Sequence, residues 1–225
     1  MRLDSFLVEL GKVASRGRAK RAIIEGDVRV DGKPVTKPSK QVSYSNKIEV
    51  FENIDVPAGY LKLKSIQDTT NIIRPGDFVL DLGSSAGGFL MYASEIASHV
   101  KGIEFSNDFL HVLEELSASR NNITIIKGDV FTMPLSELSE KPVDVILNDI
   151  TVEPEDAINV LEKVLPLLNP DGRVLQVLKL SKRSGLDNYL NRITELDLTI
   201  MHVIEPQKRE IYVVAVHNQD SEANQ

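Results

Sequence analysis

The chain has 225 residues, 42% hydrophobic and 26% charged, with a net charge of −7 and no cysteine. That length holds one large domain, or a large one with a small companion. Absence of cysteine excludes disulfides, thiolate zinc sites, iron–sulfur clusters and the covalent-thiol route of pyrimidine C5-methylating enzymes. No apolar stretch reaches the roughly 18 residues of a membrane span, and Met1-Arg2-Leu3-Asp4 lacks a signal-peptide core, so the expectation is a cytoplasmic protein without membrane contact.

The charge is divided unevenly. Residues 1–50 carry 11 Lys/Arg against 6 Asp/Glu, a net of +5, whereas the remainder carries 15 against 27. A basic head on an acidic body points to a polyanion-binding module joined to a domain with another task.

In the head, Leu3, Phe6, Leu7 and Leu10 follow helical spacing and Gly11 stops the run. A second helix spans residues 18–25, with Ala19, Ala22 and Ile23 facing inward. Val28-Arg29-Val30, the turn Asp31-Gly32 and Lys33-Pro34-Val35 predict a hairpin, and Lys47-Ile48-Glu49-Val50 predicts a closing strand. Together Met1–Leu7, Ser15–Lys20 and Gly26–Lys33 resemble the S4 RNA-binding fold, which would make residues 1–50 a small α+β domain. The resemblance implies that Arg16, Arg18, Lys20, Arg21 and Lys33 contact RNA phosphates, which give affinity and orientation with little sequence choice.

Residues 51–57 read as a linker. A helix is expected over 58–73, and Arg74-Pro75-Gly76-Asp77 then turns into alternating strands and helices, the pattern of a parallel sheet. The strands are 78–82, 100–105, 123–127, 143–148 and 174–180; the helices are 87–97, 108–120, 155–168 and 186–196. Pro170-Asp171-Gly172 is read as a break before the fifth strand. Two closing strands, 199–204 and 211–216, end a domain spanning 58–217, and the polar tail 218–225 is expected to be disordered. The fold class is α/β, a Rossmann-like methyltransferase domain with a mostly parallel seven-stranded sheet and an antiparallel last strand.

The run Asp81-Leu82-Gly83-Ser84-Ser85-Ala86-Gly87-Gly88-Phe89 follows an apolar strand and opens a helix, the context of a nucleotide-binding loop. Its GxxxGG spacing differs from the GxGxxG of nicotinamide sites. Glu104 ends the next strand, where a carboxylate grips ribose hydroxyls, and Asp129 follows the third, facing adenine. This order favours S-adenosylmethionine as cofactor, with Asp81, Gly83, Ser84, Ser85, Gly87, Gly88, Phe89, Glu104, Asp129 and Asp149 around it. No metal site is expected.

Lys62, Asp149, Lys179 and Glu210 are charges in or beside apolar runs, where an unpaired charge is costly. Their contexts, Gly59-Tyr60-Leu61-Lys62-Leu63, Asn148-Asp149, Leu178-Lys179 and Arg209-Glu210-Ile211-Tyr212, resemble the Lys-Asp-Lys-Glu tetrad of FtsJ-type RNA 2′-O-methyltransferases. With the S4 head, the whole chain is similar to the hemolysin A (TlyA) type of ribosomal RNA methyltransferases. The resemblance implies methyl transfer to a ribose hydroxyl, most simply of ribosomal RNA, with Lys179 central as general base or as an electrostatic orienter. Departures are Pro57-Ala58 where an Arg is usual, Ser85-Ala86 where Ala-Pro is usual, and Ile150-Thr151 after the Asp. Lys182, Arg183, Lys208 and Arg209 gather near the tetrad positions as an RNA-facing rim. Two other readings are a non-catalytic S4 RNA-binding or ribosome-assembly factor and, last, a pore former. A monomer and a homodimer are both compatible with the sequence.

Overall fold

The computed structural model describes residues 1–13, 15–50, 56–180, 185–206 and 210–218. They form two compact units, Met1–Pro57 and Ala58–Gln225.

In the first unit, α1 (Leu3–Glu9) and α2 (Arg16–Glu25) pack on a small antiparallel sheet of β1 (Val28–Val30), β2 (Lys33–Pro34) and β3 (Ile48–Val50), in the order β2-β1-β3. The Ser15 hydroxyl caps α2 by accepting from the Arg18 amide, and Gly26 ends it in the left-handed conformation at φ 88°. Asp31 and Gly32 both have positive φ, 53° and 76°, which suits a two-residue hairpin turn. Leu3, Phe6, Leu7, Ala19, Ala22, Ile23, Val28 and Val30 fill the core.

The second unit opens with α3 (Ala58–Thr70). There follow β4 (Phe78–Leu82), α4 (Gly88–Ala93), β5 (His99–Glu104), α5 (Asn107–Ser119), β6 (Ile123–Lys127), α6 (Leu135–Leu138), β7 (Val143–Asn148), α7 (Pro154–Val164), β8 (Leu168–Lys179), α8 (Leu186–Thr194), β9 (Leu198–Ile204) and β10 (Glu210–His217). The seven-stranded sheet runs β6-β5-β4-β7-β8-β10-β9. Only β10 is antiparallel to its neighbours, inserted between β8 and β9. Apolar clusters cover both faces: Leu80, Leu82, Ile146, Leu178 and Val213 on one, Val79, Leu147, Leu175, Val177 and Val214 on the other. Burial on both sides explains why these strands read as continuous apolar runs.

Three expectations on element boundaries are corrected. Pro170-Asp171-Gly172 does not end a strand. β8 begins at Leu168, and the register shift against β7 between Val143 and Val145 absorbs the extra residues, with Asp171 at φ 59°. The helix expected over 87–97 is the six-residue α4, and the turns that follow it are held by Asn122 Nδ2 donating to the carbonyls of Ser94 and Ala97. The helix expected to reach residue 168 ends at Val164, and a 3-10 turn at Leu165–Leu167 leads into β8 because Pro166 cannot continue the α-helical ladder. Most of the 51–57 linker, residues 51–55, and all but Asn218 of the polar tail lie outside the described residues.

One buried ion pair braces the amino-terminal edge of this sheet. Arg173 donates to Asp77 Oδ1 at 2.8 Å and to the Ile72 carbonyl, both side chains being under 10% exposed. It fixes the loop between α3 and β4, and so the placement of α3 over the sheet.

Candidate active site

Four elements bring their ends together at the carboxyl edge of the central strands. Asp149 directly follows β7, Lys179 is the last residue of β8, and Glu210 is the first of β10. Antiparallel pairing of β8 with β10 makes Lys179 and Glu210 cross-strand partners, so 30 intervening residues collapse to one rung of the ladder. Lys62 comes from the second turn of α3. Its helix sits close because Gly59 and Gly88 let the backbones of α3 and α4 approach: a Cβ on Gly88 would lie 2.6 Å from the Tyr60 amide nitrogen.

Lys62 Nζ donates to Asp149 Oδ2 at 2.7 Å and lies 3.0 Å from Glu210 Oε2. Its ammonium also lies 5.8 Å from the Phe89 ring centre and 5.5 Å from that of Tyr212, a partly aromatic enclosure that suits a cation. Lys179 Nζ donates to the carbonyls of Asp149 (3.2 Å) and Ile150 (3.3 Å) and to Thr151 Oγ1 (2.7 Å). It is also 3.2 Å from Asp149 Oδ1, an ion-pair distance without hydrogen-bond alignment, so that oxygen is buried with no hydrogen-bond donor. The four side chains are only 18–24% exposed. Burial pushes the Glu210 carboxyl up, but Lys62, the Tyr212 hydroxyl and Lys179 outweigh it and hold the group below its ordinary value. The Tyr212 hydroxyl donates to Glu210 Oε2 at 3.0 Å; its own pKa is raised, first by burial and then by Glu210.

The glycine loop lies between β4 and α4. Gly83 and Ser84 both donate their amides to the Ile103 carbonyl, Gly83 and Gly87 take positive φ, and Ser85 does so at 49° without being glycine. A Cβ on Gly83 would meet Ile150 Cγ2 at 2.9 Å, and one on Gly87 would meet Leu116 Cδ2 at 2.9 Å. At Gly83 the adjacent Ile150 adds to the demand for glycine made by the backbone, whereas at Gly87 the positive φ is what requires it, because the leucine methyls can swing aside. Glu104 closes the loop from β5, accepting from the Ser85 amide at 2.6 Å and from the Ser106 amide at 2.7 Å. Ser84 is buried beside Gly102, and Phe89 is in the core beneath Lys62. Asp129 Oδ1 accepts from the Phe131 amide at 3.0 Å, closing an Asx-type turn.

Beneath this loop lies a set of unmet acceptors. Asp81 is 1% exposed and neither carboxylate oxygen has a donor; Asn148 Oδ1, on the adjacent strand, is likewise buried without one. With Asp149 Oδ1, four acceptor oxygens at the ends of β4 and β7 have no hydrogen-bond donor. Burial, reinforced by Asp149 and Glu104 and opposed by Ser84, pushes the Asp81 carboxyl up to about 7. Such a cluster suits a ligand that brings donors and positive charge.

Sequence reasoning passed over several neighbours. Phe105 is 71% exposed next to Glu104, and Phe131 is 45% exposed two residues beyond Asp129, so aromatic rings flank both carboxylates. An aromatic beside each strand-end acid was a visible signal. Lys163 of α7 donates to the carbonyls of Val130 (2.8 Å), Phe131 (3.0 Å) and Met133 (2.7 Å), pinning the loop that carries Asp129. Neither Lys163 nor Thr151 had a local sequence signal, because each acts on a segment distant in sequence or through a turn.

In the head, Arg16 pairs with the buried Asp4 at 3.3 Å, alongside the bidentate Arg2–Asp4 contact. Asp4 is held well below the usual carboxylate range, chiefly by Arg2. Arg21 donates to the Val56 carbonyl, Arg18 is half-buried, and Lys20 and Lys33 are exposed. Lys182, Arg183, Lys208 and Arg209 lie outside the described residues.

The family description of the FtsJ-like methyltransferases matches residues 56–217. The chain belongs to the FtsJ-like methyltransferase family. A second match, to the S4 domain, covers residues 1–47. Both bear out the expected family, and the observed sheet bears out the expected fold class. A curated relative, the ribosomal RNA large subunit methyltransferase E of Psychrobacter sp. (strain PRwf-1), is 30% identical over 131 residues, covering 54% of this chain and 60% of its own. The FtsJ-like chain thus spans less than two thirds of that relative's length. Among solved structures, a Streptococcus thermophilus protein provisionally named a hemolysin superposes with a TM-score of 0.62 at 16% identity, over 97% of this chain and 89% of that one. Aeropyrum pernix fibrillarin, solved with natively bound S-adenosyl-L-methionine, superposes with a TM-score of 0.59 at 18% identity, over 84% and 94%. These likenesses carry the fold of the FtsJ-like unit.

Proposed function

We propose that the protein is an S-adenosylmethionine-dependent methyltransferase acting on a ribose 2′-hydroxyl of ribosomal RNA. The observation that carries this reading is the convergence of two lysines and two carboxylates from four elements, with Lys62 bridging Asp149 and Glu210 and Lys179 against Asp149. The name of the curated relative and membership of the family favour ribosomal RNA as substrate, and the S4 match favours an RNA-holding head. The division of labour follows: residues 1–50 bind RNA through Arg16, Arg18, Lys20, Arg21 and Lys33, and residues 58–217 carry the chemistry. No described helix is long and apolar enough to cross a membrane. The proposed ribosomal RNA substrate is what supports work in the cytoplasm.

The residues present fit the cofactor. When bound, it supplies an electrophilic methyl group on a positively charged sulfonium. Asp81, with Asn148 and Asp149, offers the unmet acceptors that its donors and charge require, while Glu104 and Asp129 serve its ribose and adenine beside Phe105 and Phe131. Lys62 neutralises Asp149 and Glu210 at once and keeps both carboxylates facing the reaction centre. Lys179 orients the ribose hydroxyl and, after releasing one proton to solvent, receives that of the hydroxyl at the Nζ lone pair. With all four groups ionised the cluster is neutral; loss of one proton from Lys179 leaves it at −1, a charge that suits a cationic donor. Holding the hydroxyl in line supplies much of the remaining acceleration.

The test is incubation of ribosomal subunits and naked ribosomal RNA with labelled S-adenosylmethionine, followed by nucleoside mass spectrometry. A ribose-methylated nucleoside is expected, and Lys179→Ala abolishes it while leaving cofactor binding intact. Label found only on a base sinks the assignment.

A further inference from the structure

The hydrogen bonds of Lys179 are more specific than its charge. Two of its three partners, the carbonyls of Asp149 and Ile150, only accept, and they lie at 3.2 and 3.3 Å, long for such bonds. The third, Thr151 Oγ1, lies at 2.7 Å and is a hydroxyl, which both accepts and donates. An ammonium gives one hydrogen to each of the three partners. A neutral amine gives two hydrogens to the carbonyls and takes one from the threonine hydroxyl into its lone pair. Thr151 is therefore the one contact that serves both protonation states without any movement of heavy atoms.

We infer that Thr151 is a positioning residue for Lys179, holding its amine in place through the change of protonation that methyl transfer requires. This rests on the role proposed above for Lys179. When the ribose hydroxyl arrives, one long carbonyl contact yields; the neutral amine then gives one hydrogen to Thr151 Oγ1 and one to the remaining carbonyl, which turns its lone pair to the incoming hydroxyl while the short contact holds Nζ in place. The side chain suits this task in a second way. Thr151 is exposed at the start of the loop after β7, so its hydroxyl supports no core packing. The residue also stands at one of the positions where the sequence departs from the FtsJ pattern, so the contact belongs to this chain's own solution.

The experiment compares full-length wild type, Thr151→Val and Thr151→Ser, using labelled S-adenosylmethionine and the ribosomal fraction that wild type methylates. Valine keeps the shape and removes the hydroxyl; serine keeps the hydroxyl and removes the methyl. We expect Thr151→Val to lose kcat by about 10-fold or more, with KM for S-adenosylmethionine and calorimetric cofactor binding unchanged, and Thr151→Ser to stay within about 2-fold of wild type. A valine variant with wild-type kcat overturns the inference. So does a serine variant as impaired as valine, which would assign the effect to the methyl group, or a loss of cofactor binding in either, which would make the residue merely structural. Lys179→Ala run in parallel separates the two claims: if it too retains turnover, the reading of the tetrad fails. If it is inactive while Thr151→Val is normal, only the inference about Thr151 fails.

Discussion

Replacing Asp81 by asparagine tests the electrostatics beneath the glycine loop. The carboxyl titrates near 3.8 in the unfolded chain and is pushed up to about 7 in the fold by burial, with Asp149 and Glu104 acting in the same direction. Between those values the folded protein holds a proton that the unfolded chain has released. Stability therefore falls as pH rises from about 4 to about 7, is constant above, and carries no contribution from this group below both values. Three pH decades at about 1.4 kcal/mol each put the cost of ionised Asp81 at about 4 kcal/mol above pH 7. The side chain is 1% exposed, so solvent screening does little to reduce it. Asparagine has nearly the same shape and no charge. Its unmet amide hydrogens add a penalty of about 1–3 kcal/mol, but one that does not vary with pH. The informative quantity is thus the difference between variant and wild type, measured by urea unfolding of the full-length protein at intervals from pH 4.5 to pH 8.5. It should move in favour of Asp81→Asn by about 3–4 kcal/mol over that range and flatten near pH 8. Parallel stability curves would refute the reasoning and mean that a donor reaches Asp81 in the free protein.

Other expectations follow from particular contacts. Lys62→Met leaves Asp149 with only Lys179 and Glu210 with only the Tyr212 hydroxyl, both carboxylates less than one quarter exposed, so it should lower stability by about 2–3 kcal/mol and abolish methyl transfer; a normal melting temperature would contradict the bridging role. Lys163→Met frees the carbonyls of Val130, Phe131 and Met133 and should raise KM for S-adenosylmethionine several-fold with kcat little changed, as read from steady-state kinetics. An equal fall in kcat would place Lys163 elsewhere in the mechanism. Neutralising the exposed Lys20 and Lys33 together should weaken RNA binding and lower the slope of log K against log salt by about 2, measured by filter binding or anisotropy. An unchanged slope would locate the RNA contact outside the head.

The two modules, the alternation of strands and helices and the glycine loop were legible because each is a local pattern. Apolar runs such as Val143–Leu147 are buried on both faces, and Asp31-Gly32 is a turn whatever surrounds it. Local pattern also misled. Pro170-Asp171-Gly172 has the composition of a break, yet pairing with β7 carries the strand through it as a bulge. The four charges were visible as anomalies in or beside apolar segments, and a family resemblance supplied their grouping.

What chain order determined by itself was the inventory: a basic S4 head, a Rossmann-like body, and two lysines and two acids out of place among hydrophobic neighbours. Only the tertiary structure decided who meets whom. Insertion of β10 between β8 and β9 sets Glu210 opposite Lys179, and the close approach of Gly59 to Gly88 delivers Lys62 to both carboxylates. The turn after β7 lends Lys179 a hydroxyl that no spacing rule points to. The reason is physical. Burial and periodicity act over a few residues, whereas hydrogen-bond partners are chosen by distances that exist only once the sheet has formed.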